Sequence, residues 1–135
     1  MAEKLRSLGI CLGASTVSIV QLELDRYNQF NPTVNPKPRI IDFSLHPHEG
    51  DPKQTLLDAF SRLEPESFDR IAATGRKFRK FVNLSSISEP EAVEYAYPHI
   101  KTPGVDCPAV VSAGGETFMV YALSRSGSIA NVITG

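Results

Sequence analysis

The stretch Val110-Val111-Ser112-Ala113-Gly114-Gly115-Glu116-Thr117-Phe118-Met119-Val120-Tyr121-Ala122-Leu123 decides the fold, because it joins two apolar runs through a pair of glycines. No charged residue interrupts it before Glu116. A backbone that turns through Gly-Gly exposes consecutive N–H groups with no side chain in the way. Such a concavity suits a phosphate, so the stretch predicts an anion site at the turn.

A second stretch near the start of the chain repeats this scheme of strand, small-residue turn and strand. It reads Leu8-Gly9-Ile10-Cys11-Leu12-Gly13-Ala14-Ser15-Thr16-Val17-Ser18-Ile19-Val20. Taken singly, each turn is typical of an ordinary hairpin, since glycine dominates tight turns. Taken as a pair, the two turns are predicted to clamp one phosphate chain through Gly13, Ala14, Ser15, Thr16, Gly114, Gly115, Glu116 and Thr117.

The composition is that of an ordinary globular domain with no global preference for polyanions. The chain has 135 residues, 41% of them hydrophobic, and a net charge of -1. We therefore expect no nucleic-acid partner, and an anion site has to be built locally. The sequence has neither a long apolar run nor a secretory leader, which predicts a cytoplasmic protein without a membrane partner. Cys11 and Cys107 lie far apart and are predicted to be buried thiols without a metal.

Alternation of polar and apolar residues predicts three strands in the first third of the chain. They span 5–12, 16–24 and 39–45, and the loop at 25–38 contains three prolines and three asparagines. The alternation slips at Ile19-Val20, which is typical of a bulge or of a strand covered on both faces.

The next segment predicts a helix that begins at Asp51 and ends before Pro65. An aspartate followed by Pro52 and Gln54 is typical of an N-cap with a reciprocal capping residue. One apolar stripe, predicted to cover a sheet, is formed by Leu56, Leu57, Phe60 and Leu63.

Later patterns predict a second helix between short strands. Ser88 is predicted to cap this helix reciprocally with Glu91, and Pro98 to end it. Its inward residues are predicted to be Ala92, Val93 and Ala96. The predicted strands are 70–75, 105–113, 117–123 and 128–134.

This order of elements is that of a ribonuclease-H-like α/β fold, in which helices pack on a mixed sheet. We predict a first lobe at residues 1–107 and the first strands of a second lobe at 108–135. Since no helix closes the last predicted strand, we expect the chain to come from a longer protein.

Four pieces of the chain resemble one family when their order and spacing are taken together. They are residues 8–16, Ala73-Thr74-Gly75-Arg76, Ser88-Glu89 and residues 111–117. The chain resembles the N-terminal ATPase-like unit of the CoA-enzyme activases, which activate 2-hydroxyacyl-CoA dehydratases and benzoyl-CoA reductases. These activases belong to the superfamily of actin-like, sugar-kinase and heat-shock-chaperone ATPases. The resemblance implies that ATP with magnesium lies between two lobes, with its phosphates against the two turns.

The resemblance also implies a role in electron transfer for the parent protein. In the family, ATP hydrolysis drives a conformational change that passes an electron from a bridging four-iron cluster into a CoA-ester dehydratase or reductase. Further implied partners are reduced ferredoxin or flavodoxin, and a second ATPase-like unit in the same chain or in a homodimer. The cluster cysteine is expected soon after Gly135, so Cys11 and Cys107 are not predicted ligands.

The chain departs from the family where magnesium is normally held. Aspartates are usual in the family at the positions of Cys11, Ser112 and Thr117. Carboxylates there anchor the metal, so their loss predicts weak or absent nucleotide turnover. Glu116 is a candidate substitute ligand. The catalytic candidates are Glu89 and Glu91, which can orient a water molecule, although acidic residues also favour a helix N-terminus without any catalysis.

Two further polar groups have simple explanations. The basic segment 76–80 is predicted to be a solvated face, because four charges are too few for a nucleic-acid footprint. The group His46, His48, Glu49 and Asp51 is predicted to be a loop without a metal.

Three functions stay open at this stage. The first is the ATP-dependent activator described above, of which this chain is predicted to be a unit that is degenerate by loss of its metal anchors. The second is a scaffold or dimerisation unit that keeps the fold without turnover. The third is a small-molecule kinase of the same superfamily, which needs a carboxylate base facing an acceptor alcohol.

Overall fold

A computed structural model describes residues 3–26, 37–75, 83–104, 106 and 109–135. Within them the chain forms two sheets and two α-helices, the predicted mixed α/β class. No helix in these ranges is long and apolar enough to cross a membrane. In chain order the elements are β1 (Lys4–Leu12), β2 (Thr16–Asp25), β3 (Arg39–Pro47), α1 (Pro52–Phe60), a 3₁₀ turn (Pro65–Ser67), β4 (Arg70–Thr74), β5 (Ser85–Ser86), α2 (Glu89–Ile100), β6 (Ala109–Ala113), β7 (Phe118–Leu123) and β8 (Ile129–Thr134).

The larger sheet has the strand order β3-β2-β1-β4-β5. The pairs β1–β2 and β2–β3 are antiparallel, whereas β1–β4 and β4–β5 are parallel. The tight turn after Leu12 permits the first antiparallel pair, and the crossover through α1 permits the parallel one. β1 lies at the centre, so the turn that follows it projects from the middle of the sheet edge.

The core lies between this sheet and α1. Its buried members are Leu8, Ile10, Leu12, Val17, Ile19, Leu56, Ala59 and Ala73. Ile19 points into this core, and its neighbour Val20 faces the other side of the sheet, beside α2. The two successive apolar residues of the slip thus face opposite sides of the sheet. The register shift between β2 and β3 falls instead at Gln21/Leu22.

The predicted start of the first helix is confirmed, but its end and its buried face differ from the prediction. The Asp51 carboxylate accepts a hydrogen bond from the Gln54 backbone N–H at 2.9 Å. The Gln54 side chain does not reach back as predicted; it donates to Asp58 at 2.8 Å. The helix ends at Phe60, and its buried residues are Pro52, Leu56 and Ala59. This i, i+4, i+7 stripe leaves Leu57 56% exposed, so the prediction that Leu57 faces the sheet was wrong.

The second helix has the predicted capping box between Ser88 and Glu91. It was predicted to end at Pro98 but continues to Ile100. A proline deletes one backbone hydrogen bond, yet the last turn still closes because Lys101 N–H donates to the Tyr97 carbonyl at 3.0 Å. The buried residue of this helix is Tyr97, whereas Ala96, predicted to face inward, is exposed.

The smaller sheet has the order β6-β7-β8 and is antiparallel throughout. It connects to α2 through the Glu94 carboxylate, which accepts a hydrogen bond from Ile129 N–H. Its first strand begins at Ala109, later than predicted, and residues 105, 107 and 108 lie outside the described part. The basic segment 76–80 and most of the predicted loop at 25–38 also lie outside it, while the short strand β5 was not predicted.

Candidate functional site

The two small-residue turns face each other across one cleft. A Cβ atom placed on Gly115 would lie 2.7 Å from the Ser15 hydroxyl oxygen, so the turns are in direct contact. The cleft beside this contact has a volume of about 150 Å³. It is lined by Cys11, Leu12, Gly13, Ala14, Gly75, Glu89, Ser112, Gly114, Gly115, Glu116 and Thr117.

The turns share one local geometry. In the first, Gly13 N–H donates to the Thr16 carbonyl at 2.9 Å; in the second, Gly114 N–H donates to the Thr117 carbonyl at the same distance. Each is thus a hairpin with a two-residue loop between paired strands. The repeated sequence scheme therefore produces a repeated backbone, and the fold sets the two copies against each other.

Most of the predicted phosphate-binding residues line this cleft. Of the first turn, Gly13 and Ala14 do so, while Ser15 contacts the opposite turn and Thr16 closes its own. All four predicted residues of the second turn line it.

The two candidate catalytic glutamates occupy different environments. Glu89 lines the cleft and accepts a hydrogen bond from the Ser112 hydroxyl at 2.9 Å. Glu91 does not line it; its carboxylate lies 3.4 Å from the Ser88 backbone N–H, as the capping residue of α2. The geometry therefore favours Glu89 as the residue able to act on a molecule in the cleft.

Cys11 is one of the positions at which the sequence resemblance implied the loss of an aspartate. Burial, and secondarily the nearby Glu89 carboxylate, raise the pKa of the Cys11 thiol. The thiol is therefore neutral at physiological pH and a poor nucleophile or metal ligand. Ser112, at the second such position, likewise offers a neutral hydroxyl, already engaged with Glu89.

Charge in the described part of the cleft comes from Glu89 and Glu116, since no lysine, arginine or histidine is among its lining residues. Magnesium prefers carboxylate and phosphate oxygens, so these two glutamates fit it less completely than an aspartate-lined site would. Bare glycine backbones, in contrast, fit phosphate well. No group of three or more His, Cys, Asp or Glu side chains within the described ranges is arranged to hold a metal.

Two residues that matter to the cleft were absent from the predicted binding set. Gly75 lines it, with a φ of +130° and a hypothetical Cβ only 2.3 Å from the Leu12 carbonyl oxygen. The signal in the sequence that could have predicted this role of Gly75 was its position directly after a short strand. His48, predicted only as part of a loop, is buried and bonded to the Gly13 carbonyl. No local pattern predicted that contact.

Comparison with solved structures identifies the fold. The activator of the 2-hydroxyisocaproyl-CoA dehydratase from Clostridium difficile, with bound ADPNP, superposes with a TM-score of 0.65 at 15% identity, covering 97% of this chain and 46% of that one. Component A of the (R)-2-hydroxyglutaryl-CoA dehydratase from Acidaminococcus fermentans gives 0.60 at 16% identity, covering 97% and 47%. A Ppx/GppA family protein from Aquifex aeolicus gives 0.64 at 14% identity, covering 98% and 51%.

The chain has the predicted mixed α/β fold of the ribonuclease-H-like, actin-like type, which these structures share. It spans about half the length of the structures that it matches. No protein-family model and no curated protein sequence matches it. At this level of identity the likeness shows the fold, and the chemistry has to be argued from the cleft.

Proposed function

We propose that this chain is the phosphate-binding part of an ATP-dependent activator, which couples nucleotide binding and hydrolysis to electron transfer into a CoA-ester dehydratase or reductase. The observation that carries the proposal is the contact between the two glycine turns, which places two sets of backbone N–H groups beside one cleft. The likeness of fold to two dehydratase-associated proteins supports the choice of partner.

The size of the cleft determines which part of a nucleotide it holds. Ligand pockets commonly measure about 300–1,000 Å³, and this cleft measures about 150 Å³. It thus has room for phosphate groups and not for a whole nucleotide. We propose that residues 108–135 begin a second lobe, and that the rest of that lobe, in the parent protein, supplies the surface for the adenosine.

Magnesium, when bound with ATP, neutralises charge between the phosphates. Glu116, in the second turn, is the proposed protein contact of the metal, and Glu89 the proposed group that orients a water molecule. Both carboxylates line the cleft. Because neutral Cys11 and Ser112 take the places of acidic anchors, we expect weak binding and no steady turnover by this chain alone.

An NMR titration with MgATP tests the phosphate site. The amide signals of Ala14, Gly114 and Gly115 are expected to shift, with a dissociation constant on the order of 1 mM. Gly127 provides an internal control, because it lies in a glycine turn of similar size that does not line the cleft. Equal shifts at Gly127, or no shift at the first three residues, contradict the proposal. Adenosine without phosphates, added at the same concentration, should leave all four signals in place.

A second candidate is a scaffold or dimerisation unit whose cleft once bound ATP. The specific observation is the neutral pair Cys11 and Ser112, which leaves the fold intact without acidic metal anchors. Both candidate functions assume the same cleft between the two turns. They differ in whether the natural chain binds nucleotide. MgATP binding by the unmodified chain favours the activator unit, and its absence favours the scaffold.

Restoring the acidic anchors tests the latent cleft. The double variant Cys11→Asp/Ser112→Asp is expected to bind MgATP about tenfold more tightly, equivalent to about 1.4 kcal/mol, because a carboxylate can hold the metal against the phosphates. The matched control is Cys11→Asn/Ser112→Asn, which has nearly the same size and no charge, and should show no gain. If calorimetry finds equal affinities for both variants, the cleft is not a lapsed metal–nucleotide site.

The electron-transfer part of the proposal needs residues outside this chain. Cys11 lies partly buried in β1, and Cys107 lies outside the described residues, so neither is proposed as a cluster ligand. The proposed ligand is a cysteine of the parent protein beyond Gly135. Reduced ferredoxin or flavodoxin remains the proposed electron donor, and a second ATPase-like unit or a homodimer the proposed partner that completes the cluster site.

A further inference from the structure

We propose that His48 is a positioning residue that orients the backbone of the first turn, so that the Ala14 N–H points into the cleft as a phosphate donor. This inference rests on the proposed function for its ligand, but its structural part can be tested without one. His48 comes directly after β3, two residues before Gly50.

His48 is buried, with 5% of its surface exposed. Burying an imidazole costs free energy unless its nitrogens are hydrogen-bonded. Both ring nitrogens have partners here: Nε2 lies 3.0 Å from the Gly13 carbonyl oxygen, and Nδ1 lies 3.1 Å from the Gly50 backbone nitrogen.

These two partners determine the protonation of the ring. A carbonyl oxygen can only accept, so Nε2 must carry the proton that bonds to Gly13. A backbone N–H can only donate, so Nδ1 must be unprotonated to accept from Gly50. These two hydrogen bonds are those that the Nε2–H tautomer of His48 can make.

The backbone of His48 binds the same turn at a second point. Its N–H donates to the Ser15 carbonyl at 3.1 Å, and its carbonyl accepts from Asp51 N–H at 2.7 Å. Asp51 in turn caps α1, whose Leu56 packs in the core. His48 thus connects the first turn to α1, and it does not itself line the cleft.

Because peptide groups are planar, the contact of the Gly13 carbonyl with His48 also determines the direction of the Ala14 N–H. No described peptide bond is cis, and in a trans peptide the C=O of one residue points opposite to the N–H of the next. Because the Gly13 carbonyl points to His48, the Ala14 N–H points away from it. The Ser15 carbonyl likewise points to His48, which turns the Thr16 N–H away. Ala14 lines the cleft and His48 does not, which supports an Ala14 N–H directed towards the cleft.

Nitrogen-15 NMR of the imidazole tests the structural part. We expect the His48 ring to show a protonated Nε2 and an unprotonated Nδ1 at neutral pH, with slow exchange of the Nε2 proton. A protonated Nδ1, or rapid exchange between tautomers, overturns the inference, whatever the chain binds.

Two variants test the positioning role with MgATP and magnesium pyrophosphate as probes. The amide of His48→Gln can replace the Nε2 donor to Gly13, whereas His48→Asn is shorter and can replace only the Nδ1 acceptor. We expect His48→Asn to bind both probes about tenfold more weakly, and His48→Gln to stay within about twofold of the natural chain. The amide signal of Ala14 should move in His48→Asn even without a probe.

The result separates positioning from a purely structural role. A structural role predicts that affinity falls in proportion to thermal stability in both variants, so equal losses in Gln and Asn overturn the inference. If the natural chain binds neither probe, the proposed function fails. The ring tautomer and the Ala14 signal in the two variants then decide whether His48 orients the turn.

Discussion

Replacing Gly75 with alanine is expected to destabilise the chain by about 3–5 kcal/mol, the largest effect of any single methyl group that we predict. The residue has a φ of +130°, where a Cβ atom is strained in any surroundings. The added Cβ would also lie 2.3 Å from the carbonyl oxygen and 2.9 Å from the carbonyl carbon of Leu12, which are backbone atoms of the central strand. Neither atom can move without shifting β1. Urea denaturation measures the loss.

Gly104 is the matched control for this prediction. It also has a positive φ, +76°, but a Cβ placed there would meet no atom of the described residues within 4 Å. Gly104→Ala thus measures the backbone strain without the collision and should cost about 1–2 kcal/mol. Similar losses in the two variants would show that Gly75 is not pressed against Leu12. A larger loss for Gly75 confirms the close approach that brings the ends of β1 and β4 together at the cleft.

Local chemistry made part of this fold predictable. Helix starts depend on side chains within four residues, and both Asp51 and Ser88 cap their helices as predicted. The strands of the larger sheet follow from alternation, and their bounds differ from the predicted ones by two residues or fewer for β1, β2 and β3. The two turns were predictable as turns, because glycine at a junction between apolar runs has few other uses.

Features that depend on distant residues were not predictable in the same way. Ala96 was expected to face inward, but the buried residue of α2 is Tyr97, which packs beside Gly127 in the turn between β7 and β8. The two-residue strand β5 exists only because β4 offers it a parallel partner. A pattern read within one segment contains no information on such partners.

The cleft, too, was predictable only in the features that depend on local sequence. Sequence spacing predicted two glycine turns, and the resemblance implied that they face one ligand. The fold brings them together through long-range contacts of α2, in which Glu89 binds Ser112 and Glu94 binds Ile129. The contact that His48 makes with the first turn is also non-local, since its ring binds the Gly13 carbonyl, 35 residues earlier. Residues that hold a site from behind carry no motif, and only the structure places them.

Truncating adjacent leucines of α1 should give very different losses of stability. Leu56 is 5% exposed and belongs to the core, whereas Leu57 is 56% exposed. We expect Leu56→Ala to cost about 2–5 kcal/mol, because it removes buried methyl groups and leaves a cavity beneath the sheet. Leu57→Ala should stay within about 0.5 kcal/mol of the natural chain. Urea denaturation of both variants under one set of conditions provides the comparison.

Comparison of Leu56→Ala with Leu57→Ala separates the effect of burial from the other effects of replacing leucine by alanine. Both substitutions remove the same atoms from neighbouring positions of one helix, so the difference in helix propensity between leucine and alanine cancels. What remains is the direction of the side chain: successive residues are about 100° apart, and only one can follow the stripe of Pro52 and Ala59. Equal losses would mean that α1 packs with both leucines against the sheet, as the sequence pattern alone predicted. Leu57 would then belong to the core that supports β1 and its turn.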